Sequence, residues 1–244
     1  MILQRLLIVM GMCGAAGGLT ACSEDVDSEN IRTAGIYAAM TIKSATENTA
    51  DVEVTLKTGG SGSNTYLNLT GGDALTATLN NSASQVLSKY APNPKEISYR
   101  TTFSANPAGV ENSTYKIAFN RSANDVSAPD SSVTIPASAA DLAVSSANFS
   151  RTKNAIGLTW SAQDATKHLD LDINGSCIQG YTTTILDAGT YTVNPGTLTG
   201  KSSDTCNVTF TLSRSVNGTL DKGYGEGGYI KATVFRSVTA SSAP

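Results

Sequence analysis

His168, Asp170 and Asp172 alternate along the stretch His168-Leu169-Asp170-Leu171-Asp172-Ile173. If that stretch is a strand, one imidazole and two carboxylates project from the same face. Such a trio could ligate a divalent cation. However, Leu169, Leu171 and Ile173 claim the buried face, which leaves the polar stripe as the ordinary solvated side of a half-buried strand. No further ligand follows at a defined spacing, so no metal is expected here. His168 is the only histidine, and no serine is marked as its nucleophile. The chain also lacks a Gly-x-Ser-x-Gly elbow, a His-Glu-x-x-His pair and a Gly-x-x-x-x-Gly-Lys phosphate cradle. The expectation is a non-enzymatic protein without catalytic residues or a cofactor.

Cys177 and Cys206 are the two cysteines in the body of the chain; Cys13 and Cys22 lie near its start. In an oxidising compartment two such thiols pair. Neither a second Cys-x-x-Cys nor clustered histidines support a zinc site or a redox couple. Cys206 is in phase with Val208, Phe210 and Leu212 and should point inward, whereas Cys177 follows the turn-like Asn174-Gly175-Ser176. A structural disulfide is expected.

The loop Asp221-Lys222-Gly223-Tyr224-Gly225-Glu226-Gly227-Gly228 is the most distinctive internal feature. Its carboxylates and carbonyls suit calcium, yet the spacing does not match an EF-hand and Lys222 would repel a cation. Its glycines suit positive φ and a tight hairpin. Tyrosines in such a loop also make adaptable contact surfaces. A structural hairpin is the expectation, with Asp221, Tyr224, Glu226 and Tyr229 as candidate interaction residues.

The elements that must carry these residues read as strands. Ile36, Ala38, Met40 and Ile42 alternate with polar or small neighbours, as do Val52, Val54 and Leu56. The pattern recurs at Tyr66–Leu69, Leu75–Leu79, Ile97–Phe103, Tyr115–Phe119 and Val133–Ile135. It returns at Ile156–Trp160, Leu169–Ile173, Thr182–Leu186, Thr190–Val193, Cys206–Leu212 and Tyr229–Val238. Clean alternation means one buried and one wet face per strand. Pro136 to Ala140 reads as a joint, since Pro136 cannot donate to a ladder. There is an internal echo: Phe119-Asn120-Arg121-Ser122-Ala123-Asn124 resembles Leu212-Ser213-Arg214-Ser215-Val216-Asn217. If the echo reflects duplication rather than a Ser/Asn-rich composition, both arginines sit at matching strand ends. They would then pin loops through carbonyls rather than bind a ligand.

Arg5 precedes an apolar run from Leu6 to Leu19, which is interrupted by Gly11, Gly14, Gly17 and Gly18 and ends in Leu19-Thr20-Ala21-Cys22. A basic start, an apolar stretch and small residues before a cut describe a secretory signal. The glycine-broken run is a poor membrane span, which needs about 20 predominantly apolar residues. Leu19-Thr20-Ala21-Cys22 resembles the lipobox of bacterial lipoproteins. That resemblance implies cleavage before Cys22, a thioether-linked diacylglycerol on its sulfur and an acyl chain on its new amino group. Two or three acyl chains anchor stably where one does not. In the same class, serine at the next position, here Ser23, goes with export to the outer membrane. The polar stretch Ser23-Glu24-Asp25-Val26-Asp27-Ser28-Glu29-Asn30 then reads as a flexible acidic tether.

Beyond residue 21 the chain keeps all 20 Asp and Glu and loses one of its 17 Lys and Arg, namely Arg5. A mildly acidic chain without a basic run excludes nucleic acid as a partner. About 100 residues make one sandwich, so the expected division is 1–21 signal, 22–33 tether, and β-sandwich domains over 34–137 and 138–244. Trp160, in phase with Ile156 and Leu158, resembles the core tryptophan of an immunoglobulin-like strand, although the cysteine pattern of antibody domains is absent. The expected fold class is all-β: two tandem antiparallel immunoglobulin-like sandwiches. The expected role is a lipid-anchored envelope protein with an envelope protein partner, serving structure, adhesion or assembly. The alternative is a module that binds a glycan or calcium.

Overall fold

The computed structural model describes residues 25–46, 48–82, 84–93, 96–104, 111–122 and 125–244. The first 24 residues lie outside it, and with them the lipobox, the signal segment and Ser23. Among the described residues the chain is all-β, with two short 3-10 turns and no α-helix. The strands of the first half are β1 (Asp25–Asp27), β2 (Ile36–Thr46), β3 (Thr49–Thr58), β4 (Thr65–Asn68) and β5 (Ala74–Leu79). They continue as β6 (Gln85–Val86), β7 (Ser88–Asn93), β8 (Glu96–Ser104), β9 (Thr114–Asn120) and β10 (Ala128–Thr134). The second half adds β11 (Ala143–Val144), β12 (Asn148–Ser150), β13 (Ile156–Thr159) and β14 (His168–Gly175). Finally come β15 (Tyr181–Leu186), β16 (Thr190–Val193), β17 (Cys206–Asn217) and β18 (Tyr229–Ala243).

The alternation read from the sequence decides which side of each strand is dry. Ile36, Ala38, Met40 and Ile42 on β2 are fully buried, and Val52, Val54 and Leu56 lie beside them on the same dry face of the neighbouring strand β3. The largest sheet runs β1-β4-β3-β2-β18-β17-β14-β15, with β8 and β7 branching from β3 and β12 from β18. Two smaller sheets, β10-β9-β5-β6 and β11-β13-β16, cover it in the first and second halves. Each half thus buries its own apolar cluster.

The expected cut at 137/138 fails at the C-terminal ribbon. Strands β17 and β18 pair along their whole facing length, from Cys206–Ser242 to Asn217–Lys231. The start of β18 also pairs in parallel with β2, from Tyr229–Ala39 to Val234–Ser44. Consequently Tyr224, Ile230, Ala232 and Val234 belong to the first core, while Val208, Phe210, Leu212 and Ala240 belong to the second. A domain of residues 34–137 would lack one neighbour of β2 and part of its core.

A second correction concerns the tether. Asp25–Asp27 adds to β4 as a parallel strand, and Ser28 and Thr33 are buried. Polar side chains need not keep a segment loose when its backbone finds partners. Here Arg121 donates to the Ser28 carbonyl at 2.9 Å and the Ile31 carbonyl at 3.0 Å. The Thr33 amide donates to Asp125 at 2.6 Å.

Candidate interaction cleft

The outward faces of β2, β3, β8 and the start of β18 enclose a cleft of about 310 Å³, at the small end of ligand-sized pockets, roughly 300–1,000 Å³. Its position follows from period-2 geometry. With Ile36 and Ala38 facing the core, Tyr37 must face outward, and Glu53, Thr55 and Lys57 do likewise on β3. Tyr37, Tyr66 and Tyr229 give the cleft its aromatic walls. Tyr229 is 41 % exposed, whereas Tyr37 is buried. Burial, and then the neighbouring Tyr229, raise the Tyr37 phenol above its ordinary pKa.

Two of the charged groups lining the cleft, Glu53 and Arg100, form an ion pair. Arg100 donates to Glu53 through Nε at 2.9 Å and Nη2 at 2.5 Å, and its guanidinium lies 3.7 Å from the Tyr90 ring centre. Burial alone would raise the Glu53 carboxyl, but hydrogen bonds from Arg100 and Ser98 outweigh it and hold the pKa below the ordinary value. The Lys57 ammonium stands 4.9 Å from the Tyr66 ring centre. Such a surface offers aromatic faces and oriented donors and acceptors. The sequence marked only Tyr229 of this set; register alone would have placed Tyr37 opposite Lys57 and Lys57 opposite Tyr66.

The glycine-rich loop between β17 and β18 is a wide connection rather than a tight hairpin. Its glycines serve mainly close approach: a Cβ on Gly225 would lie 2.9 Å from the Ala34 carbonyl oxygen, and one on Gly228 2.7 Å from that of Ala38. Only Gly227 has a positive φ in this loop. Asp221 accepts from the Asp130 and Gly223 amides at 2.7 Å each, tying the loop to β10. Tyr224 is not a surface contact residue as expected. It is buried and stacks on Phe119, with ring centres 6.3 Å apart, and burial pushes its phenol pKa well up. Glu226 and Tyr229 remain exposed.

His168 and Asp170 lie exposed on the wet face of β14, with Asp172 half-buried on the same side. Asp170 accepts from Thr184 at 3.0 Å, and Asp172 accepts from Thr182 and Asn174. Both carboxylates therefore serve cross-strand bonds. His168 instead edges a cleft of about 260 Å³ between the halves, whose lining includes Asp164, Lys167, Asp187 and Arg214. Cys177 and Cys206 form a disulfide, with Cα atoms 5.7 Å apart. Trp160 is buried, and its Nε1 donates to Asp187 at 2.8 Å.

Both echo arginines are buried and pin loops. Arg121 pairs with Asp73 at 2.8 Å, each side chain 1 % exposed. Arg214 pairs with Asp187 at 2.9 Å and donates to the Ala137 and Ser161 carbonyls. Sequence reasoning missed the two aspartates; their position beside the glycines of Gly71-Gly72-Asp73 and Asp187-Ala188-Gly189 was the available signal.

No protein family and no curated protein matches the chain. Among solved structures it is similar to a cytokine receptor complex, at 13 % identity over 84 % of this chain and 94 % of that one, with a TM-score of 0.32. A set of domains from titin aligns at 11 % identity over 86 % of this chain and 65 % of that one, with a TM-score of 0.21. A bacterial ice-binding adhesin aligns at 13 % identity over the same two shares, with a TM-score of 0.25. Among the described residues no helix is long and apolar enough to cross a membrane.

Proposed function

We propose that this chain is a lipid-anchored, non-enzymatic interaction module of the bacterial envelope, exported and cleaved before Cys22. In this reading the anchor is acylated Cys22, Ser23 directs the protein to the outer membrane, and the two halves are immunoglobulin-like sandwiches joined through β17 and β18. The observation that carries the interaction role is the tyrosine-walled cleft. It presents Tyr229 and Tyr66 around charges that neutralise one another, Glu53 with Arg100. Paired charges of this kind orient a partner instead of supplying a free acid or base.

A photo-crosslinkable residue in place of Tyr229 should capture one specific envelope protein in intact cells, and the same residue at Thr152 should not. Capture of the same abundant porins from both positions would sink the reading. A second reading, binding of a glycan, is favoured by the cleft's size and aromatic walls. It expects the thermal midpoint of the folded protein to rise with a matching oligosaccharide and that rise to vanish in Tyr229→Ala.

A further inference from the structure

We infer that the β1 end of the first half sits directly on the bilayer, with the second half pointing away from it. The inference rests on the proposed acylation of Cys22 and on the pairing of Asp25 in the largest sheet. Asp25 is already paired with Tyr66, so three chain steps separate it from the lipid-bearing residue. At about 3.3–3.6 Å per fully extended residue the reach is no more than about 11 Å. A headgroup layer is roughly 5–8 Å thick on each side, which leaves almost no slack.

The register decides which surface faces the lipid. Asp25 lies beside Tyr66, Tyr66 beside Lys57, and Lys57 beside Tyr37. That row is where β3 ends and β2 and β18 begin. Followed backward from Asp27 to Asp25, β1 itself runs past Asn68 and Leu67 to Tyr66, toward the loop from Gly59 to Asn64. The opposite direction leads along β18, 15 residues long and about 45 Å at strand rise, to Ala243 beside Ser150 in the second half.

The chemistry of this end suits a zwitterionic headgroup layer. Among the described residues here, Lys57, Lys89 and Lys222 are interspersed with Asp25, Asp27, Glu96 and Glu226, a mixed charge unlike the basic patches that draw proteins onto anionic lipid. Tyr66 and Tyr229 are side chains of the sort that settle at headgroup depth. The tyrosine cleft therefore opens close to the membrane plane, and its partner must be reachable there.

The test uses the full-length acylated protein in phosphatidylcholine–phosphatidylethanolamine vesicles, with acylation of Cys22 checked by mass spectrometry. A fluorophore is placed on Ser61→Cys or on Thr152→Cys, the latter in the turn beyond Ser150, and quenched by headgroup-labelled lipid. Quenching at position 61 should be at least about threefold stronger than at 152, because the quenching layer is only a few ångströms thick. Equal quenching in a protein shown to be acylated overturns the orientation and leaves the anchor standing. An unmodified Cys22 overturns the anchor and the inference together. Ten Gly/Ser residues inserted between Glu24 and Asp25 should abolish the difference; a difference that persists overturns the tether as its cause.

Discussion

Asp187 accepts from Trp160, from Arg214 twice and from the Gln163 amide, and Arg214 in turn holds the Ala137 and Ser161 carbonyls. Burial alone raises this carboxyl, but the Arg214 and Trp160 bonds more than offset it, so its pKa lies below the ordinary 3.8. A folded-state value below the unfolded one stabilises fully above the unfolded value; that stability is lost as pH falls through the lowered value. Asp187→Asn should cost about 3–5 kcal/mol at neutral pH, because it leaves a guanidinium buried without its partner. Below about pH 4 the gap between parent and variant should narrow. Urea unfolding followed by the single tryptophan reads both effects, since Trp160 touches the altered residue. An unchanged midpoint would remove Asp187 from the stabilising role given to it. Arg121 stands just past the end of β9, whereas Arg214 lies inside β17 opposite Val234, so the expected matching strand ends did not hold; the role as loop pins did. Their aspartates were not legible, because a carboxylate beside glycine is also ordinary turn chemistry.

The β17–β18 ribbon shows why there are two cores on one sheet. Along its inward face, Val208, Phe210 and Leu212 are followed by Arg214, and Ile230, Ala232 and Val234 by Arg236. The two arginines sit between the apolar clusters, satisfied by Asp187 and by Glu111 respectively. A charged step in a dry row must be paired where it falls, so the row divides there. Past that step the ribbon touches β10 through the Ser132–Thr219 bridge. Gly218 is required for the contact: a Cβ there would lie 2.1 Å from the Ser132 carbonyl oxygen. Gly218→Ala should destabilise by about 1–3 kcal/mol or more, as forced overpacking does. Hydrogen exchange should rise first at Ser132 and Thr219; protection unchanged at both would contradict the bridge. Alternation located these strands, but β1, β6, β11 and β12, with two or three residues each, are too short to show a period, and β7 is exposed along its whole length and so has no dry face to mark.

At the scale of the molecule the halves share strands, so they should unfold together. Phe119→Ala, fully buried in the first core, should cost about 3–5 kcal/mol and lower the midpoint seen by Trp160 in the second core. Independent tandem domains would leave the Trp160 transition where it was. The disulfide, closing a span of 29 positions, adds roughly 3–4 kcal/mol on the chain-entropy account and acts within the second core.

The residues alone determined the all-β class, the dry side of most long strands and the disulfide. Each of these follows from local period or from thiol count in an oxidising setting. Other features depended on which distant segments pair. Tertiary structure decided that Asp25 begins a strand, that Tyr224 turns inward, that β18 completes the first core, and that Tyr37, Tyr66 and Tyr229 meet. The physical reason is that period 2 fixes which face a side chain occupies but carries no information about its neighbour across the ladder. That choice belongs to register, and register is set by the packing of the whole sheet.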